Sequence, residues 1–152
     1  MVWFDNQAEE AANFYVSVFK NSKVKQITHY AGEEFPEKRG QVMTVSFELN
    51  GEEFTALNGG PEFKFTEAVS FVINCDTQEE IDYYWEKLTA DGGKELECGW
   101  VADKYGLFWQ VVPAKFFAER VKDPAGLQRV THEVWQRKKL DLAKLQKAFA
   151  GK

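Results

Sequence analysis

Two stretches of this chain, Asn6–Val18 and Asp76–Leu88, carry one helical pattern twice, and that repetition limits the fold more than any other feature. At an offset of ~70 residues, Asn6 matches Asp76 and Glu9-Glu10 matches Glu79-Glu80. On the apolar stripe Ala11 matches Ile81, Phe14 matches Tyr84, Tyr15 matches Trp85 and Val18 matches Leu88. A stripe at this spacing turns one helix face toward a sheet. Each helix follows a strand pattern and precedes a further strand and a hairpin. In the return strand of each hairpin a glycine stands three residues before an aromatic, Gly51 with Phe54 and Gly106 with Trp109. The ordered set predicts a duplicated βαβββ unit, with copies over about 1–59 and 68–113.

Local signals fill in each copy. Met1–Phe4 reads as a strand, and Asn6 with Glu9 resembles a capping box for a helix over Gln7–Phe19. Lys23–Tyr30 reads as a strand and Ala31–Gly40, with Pro36, as a loop. Gln41–Leu49 alternates, with Met43, Val45, Phe47 and Leu49 on one face and Thr44, Ser46 and Glu48 on the other. Asn50-Gly51 is a tight hairpin turn, because both residues tolerate positive φ, and Glu52–Asn58 is the returning strand. In the second copy Ala68–Cys75 is a strand, and Thr77 with Glu80 caps a helix over Gln78–Ala90 that Gly92-Gly93 ends. Lys94–Trp100 and Leu107–Val112 are expected as strands around a turn at Val101–Tyr105, with Pro113 closing the sheet. The tail 114–152 turns helical, with starts at Asp123-Pro124 and Asp141. The fold class expected is α+β: a single domain over 1–152, a curved mixed sheet from two βαβββ units, and C-terminal helices.

Composition narrows the function classes. With 152 residues, 44% of them hydrophobic and 28% charged, the chain suits one globular domain. A formal net charge of −5 offers no field for a phosphate backbone, so nucleic acid is not an expected partner. No apolar run approaches the ~20 residues of a membrane span. Two cysteines, Cys75 and Cys98, without zinc spacing or a leader, fit a reducing cytoplasm.

Aromatics make up 15% of the chain, with 13 Phe. The hairpin Cys98–Pro113 (CGWVADKYGLFWQVVP) gathers Trp100, Phe108 and Trp109 beside the polar Gln110. With its counterpart Gly51–Asn58 it is expected to line a cleft, the usual place for a small ligand. Trp3, Phe47, Phe54, Trp100 and Trp109 are expected as apolar and stacking walls, with Asn58, Ser70 and Gln110 as polar contacts. Asp103 and Lys104 are read as fixing the turn.

The stretches VWFDNQAEEAANFY (Val2–Tyr15), FTALNGGPEF (Phe54–Phe63), SFVINCDTQEEIDYYWEKL (Ser70–Leu88), CGWVADKYGLFWQVVP and the tail KLDLAKLQKAF carry a family resemblance. The βαβββ duplication resembles the vicinal oxygen chelate fold of glyoxalase I, extradiol dioxygenases and the bleomycin and fosfomycin resistance proteins. More closely, the chain is similar to the PhnB-like branch, which carries the name demethylubiquinone methyltransferase. The superfamily's metal enzymes use His, Gln or Glu ligands from the first and last strands of each unit. Carried onto this chain, those positions fall just before Met1 and on Thr55, Ser70 and Gln110. None of the three present is His or a carboxylate, so no metal site and no cofactor is expected. His29 and His132 stand apart, and nothing nominates a general base. Methyl transfer from S-adenosylmethionine of the common type needs a glycine-rich turn between a strand and a helix, and Gly59-Gly60-Pro61 opens no helix. The expectation is a dimeric protein that binds a small, partly aromatic molecule in a metal-free cleft. Two alternatives stay open: a divalent-metal lyase or dioxygenase completed by residues before Met1 or by a partner, and a non-catalytic dimeric interaction module.

Overall fold

The computed structural model describes residues 1–152, which divide into two compact units, Met1–Phe65 and Thr66–Lys152. The first runs β1 (Val2–Phe4), α1 (Ala8–Val18), β2 (Lys23–His29), β3 (Val42–Leu49) and β4 (Glu52–Asn58). Its open mixed sheet has the order β1-β4-β3-β2, with β1 parallel to β4 and the other pairs antiparallel. The second runs β5 (Phe71–Asn74), α2 (Gln78–Thr89), β6 (Lys94–Glu95), β7 (Trp100–Ala102) and β8 (Phe108–Val112). Its sheet repeats the topology as β5-β8-β7-β6, again with the first and last strands parallel. The repeated βαβββ unit is therefore present in both halves.

Each core lies between a helix and one sheet face. In the first unit Ala11, Tyr15 and Val18 of α1 are buried together with Val45, Phe47, Leu49 and Ala56. The Tyr15 and Phe47 rings stack at 6.2 Å. Burying a side chain of this size contributes about 1.5–3 kcal/mol. In the second unit Ile81, Trp85 and Leu88 of α2 are buried with Ile73, Val101, Trp109 and Val111. Asn50 and Gly51, at φ 47° and 89°, make the tight turn between β3 and β4.

Two local expectations change. The Asn6–Glu9 cap does not form: Gln7 is the N-cap residue of α1, without a side-chain bond, and the Ala8 N–H donates instead to Asn58 Oδ1 at 2.8 Å. At α2 the cap is real, since Thr77 Oγ1 accepts from Glu80 N and the Glu80 carboxylate accepts from Asp76 N at 2.7 Å. The single strand expected over Lys94–Trp100 is two short strands. Cys98 and Gly99 turn through positive φ, 61° and 83°, and their N–H groups donate to Arg137 O and Lys138 O rather than to a sheet partner.

The tail packs within the second unit as α3 (Ala114–Ala118), α4 (Pro124–Trp135) and α5 (Leu142–Ala150). Its core is Phe116, Val130, Leu140 and Leu145. Asp123 and Asp141 cap α4 and α5 through Gly126 N and Lys144 N. Gln78 ties α2 to the tail, donating to Leu140 O and accepting from Leu142 N. The Lys139 ammonium and the Gln78 amide hold the Asp82 carboxyl below its ordinary value.

Candidate functional site

Side chains alternate across a strand, so the ladder registers assign each residue to a face. In the second unit Glu95, Val101, Trp109 and Phe71 form one cross-strand row. That row faces α2, because Trp85 Nε1 donates to Glu95 Oε1 at 2.8 Å. Trp100, Gln110 and Val72 form the neighbouring row, on the opposite face. There Gln110 Nε2 donates to Ser70 Oγ at 2.9 Å. The Gln110 Oε1 and the Ser70 hydroxyl hydrogen have no partner in the chain. Val72 is 53% exposed and Trp100 half-buried, so this row presents an indole, an amide oxygen, a hydroxyl and an aliphatic surface outward.

The remaining expected wall residues lie elsewhere. Trp109 is 3% exposed, with its ring 5.4 Å from Phe71 and its Nε1 donating to Asp103 Oδ2 at 2.8 Å. Asp103, 3% exposed, also accepts from Tyr105 N and Leu107 N on Oδ1. It fixes the turn between β7 and β8 and locks the indole under the hairpin. Phe47 and Phe54 pair across β3 and β4, stack at 5.5 Å, and face α1 through Tyr15. Asn58 is spent on structure. Its Oδ1 caps α1, its Nδ2 donates to Val42 O at 3.1 Å, and its carbonyl accepts from Tyr30 OH at 2.7 Å.

Trp3 lies in the row of Leu57, Thr44 and Thr28, on the face of the first sheet turned away from α1. Its indole donates to Gly60 O at 2.8 Å and meets Phe63 edge-on at 5.0 Å. Gly59 makes room for that ring: a Cβ there would sit 2.1 Å from Trp3 Cζ2. Of the eight expected residues, Ser70, Trp100 and Gln110 thus come together on an open sheet face, and Trp3 occupies the like face of the first unit. Phe47, Phe54 and Trp109 support the sheets from the helix side. Thr44 and Ser46, the polar side of β3, share the outward face with Trp3 and with Thr55, the position that the family resemblance marks, and Thr28 of β2 joins them there.

The titratable groups give little chemistry. Burial, with smaller effects from Glu80 and Asp76, pushes the Cys75 thiol up to about 12, and Cys98 is half-buried. No three His, Cys, Asp or Glu side chains gather closely enough to hold a metal ion. The strand-to-helix turns, Asp5–Gln7 and Cys75–Thr77, contain no glycine to let a backbone approach S-adenosylmethionine in the common way. The residues present do not fit either group.

The family model for 3-demethylubiquinone-9 3-methyltransferase matches residues 1–112. A PhnB protein from Bacillus cereus whose description carries the same methyltransferase name is 39% identical. The likeness covers 71% of this chain and 92% of that one, with a TM-score of 0.63. A protein from Pseudomonas aeruginosa shares the fold alone, at 16% identity and a TM-score of 0.59, covering 71% of this chain and 90% of its own. No curated protein matches the chain.

Proposed function

This chain belongs to the PhnB-like family that bears the name 3-demethylubiquinone-9 3-methyltransferase, and we propose that it binds a small, partly aromatic molecule on the outward face of its second sheet. One observation carries the reading: Gln110 donates to Ser70 beside a half-buried Trp100, and both polar groups keep hydrogen-bonding capacity pointing away from the core. The Trp100 ring offers a face on which a planar group stacks, a contact contributing about 0.5–1.5 kcal/mol beyond its area. Gln110 Oε1 accepts a hydrogen bond from the ligand. Ser70, whose oxygen already accepts from Gln110, donates its hydroxyl hydrogen to a ligand oxygen. The site thus favours a ring bearing an adjacent donor and acceptor, such as an aromatic amide or hydroxy acid. Ser70, Trp100 and Gln110 include no general base, and no reaction step is assigned to them.

Thermal-shift and fluorescence titration with a panel of aromatic amides and hydroxy acids tests this. A ligand should raise the unfolding midpoint and quench tryptophan emission, and Trp100→Ala and Gln110→Ala should each weaken it. A panel without a binder, or variants that bind as well as the parent protein, would refute the reading.

A further inference from the structure

A cavity of about 470 Å³ opens in the first unit beside the N-terminal turn of α1, where β2, β3 and the segment after β4 come together. Its size suits a small organic molecule. It shares no residue with the Ser70, Trp100 and Gln110 row.

The lining carries both signs of charge. Asp5 and Glu9 contribute carboxylates and Lys38 contributes an ammonium. These groups do not satisfy one another. Lys38 Nζ lies 5.3 Å from the ring centroids of both Tyr30 and Phe35, in cation–π contact, and makes no ion pair. Neither Asp5 nor Glu9 meets a cation. Two unpaired carboxylates and one unpaired ammonium around a common space are complementary to a molecule that carries both charges. The wall between them is fixed: Asn58 uses both ends of its amide on Ala8 N and Val42 O, and Tyr30 OH donates to Asn58 O. Val42 and Pro61 add a short apolar surface suited to a few methylene groups.

We infer that this cavity binds a small zwitterion, with its ammonium at Asp5 and Glu9 and its carboxylate at Lys38. The amino-acid class is the fitting one, and the spacing of its charges selects the member.

Isothermal titration of the full chain with glycine, β-alanine, 4-aminobutanoate and 5-aminopentanoate tests the inference, with butanoate and butylamine as single-charge controls. At least one zwitterion should bind in the millimolar range or tighter. Lys38→Gln and Glu9→Gln should each weaken it by about twofold to fivefold, the size of a charge pair at an exposed carboxylate. Lys38→Arg should retain binding, and Gln110→Ala should leave it unchanged, which separates this cavity from the sheet-face site. Thermal midpoints of the variants confirm that each remains folded. The inference is overturned if no zwitterion binds at millimolar concentration, if a single-charge control binds as tightly, or if the charge variants bind like the parent.

Discussion

Asp103 holds the hairpin that carries Trp100 and Gln110, and replacing it by Asn gives a sharp test of the fold account. The carboxylate accepts from two backbone N–H groups on one oxygen and from the Trp109 indole on the other, and the residue is only 3% exposed. An Asn amide has one accepting end. If its oxygen serves Tyr105 N and Leu107 N, its NH2 faces the Trp109 N–H, donor against donor. Turned around, it faces two backbone donors instead. A buried donor without an acceptor costs about 1–3 kcal/mol. Replacing charge-assisted by neutral bonds to the two backbone groups removes roughly 1 kcal/mol more, since such contributions add imperfectly. The sum, about 2–4 kcal/mol, is a large share of the 5–15 kcal/mol typical of a domain. For a chain of this length it should lower the thermal midpoint by roughly 6–12 °C. Calorimetry, with near-ultraviolet dichroism to follow the tryptophans, measures it, and Asp103→Ala should fall at least as far. A midpoint within about 1 °C of the parent protein would refute the reasoning.

Three further outcomes follow from packing and capping. Gly59→Ala should displace the Trp3 ring and break its bond to Gly60 O, lowering the urea midpoint by about 1–3 kcal/mol of stability; an unchanged midpoint would contradict the close approach. Asn58→Ala should cost about 1–2 kcal/mol in the same assay, because it uncaps α1 and frees Val42 O. The buried Cys75 thiol has an ordinary value of 9.0, raised to about 12 in the fold. Its stabilising effect is therefore whole below about 9 and is lost as pH rises toward 12. At pH 8 iodoacetamide should label Cys98 in the native protein and Cys75 only after unfolding; equal labelling rates would contradict this.

What could be read from the sequence depended on how local each signal was. Thr77, Asp123 and Asp141 cap their helices as their spacing predicts, because an N-cap bond spans three residues. The Asn50-Gly51 turn and the duplicated strand order also carry their information in short patterns. Non-local partners were not legible. Ala8 takes its cap from Asn58, and Cys98 finds the Arg137 carbonyl, so neither the altered start of α1 nor the break after β6 shows in a local window. The misplaced wall residues have a different origin. Trp109 and Gln110 are neighbours in one strand and point to opposite faces, as do Phe54 and Thr55. Strict alternation, carried from Phe47 across the Asn50-Gly51 hairpin, puts Phe54 under α1.

The central claim is that the ligand meets Trp100 and Gln110 and not the helix-side aromatics. Amide and indole NMR of the uniformly labelled chain, titrated with the strongest aromatic binder from the panel, tests it most directly. The account predicts saturable movement of the Trp100 indole and Gln110 side-chain signals, while the Trp85 and Trp109 indoles, bonded to Glu95 and Asp103, stay in place. Saturable movement of the Trp109 signal with Trp100 and Gln110 unmoved would contradict it.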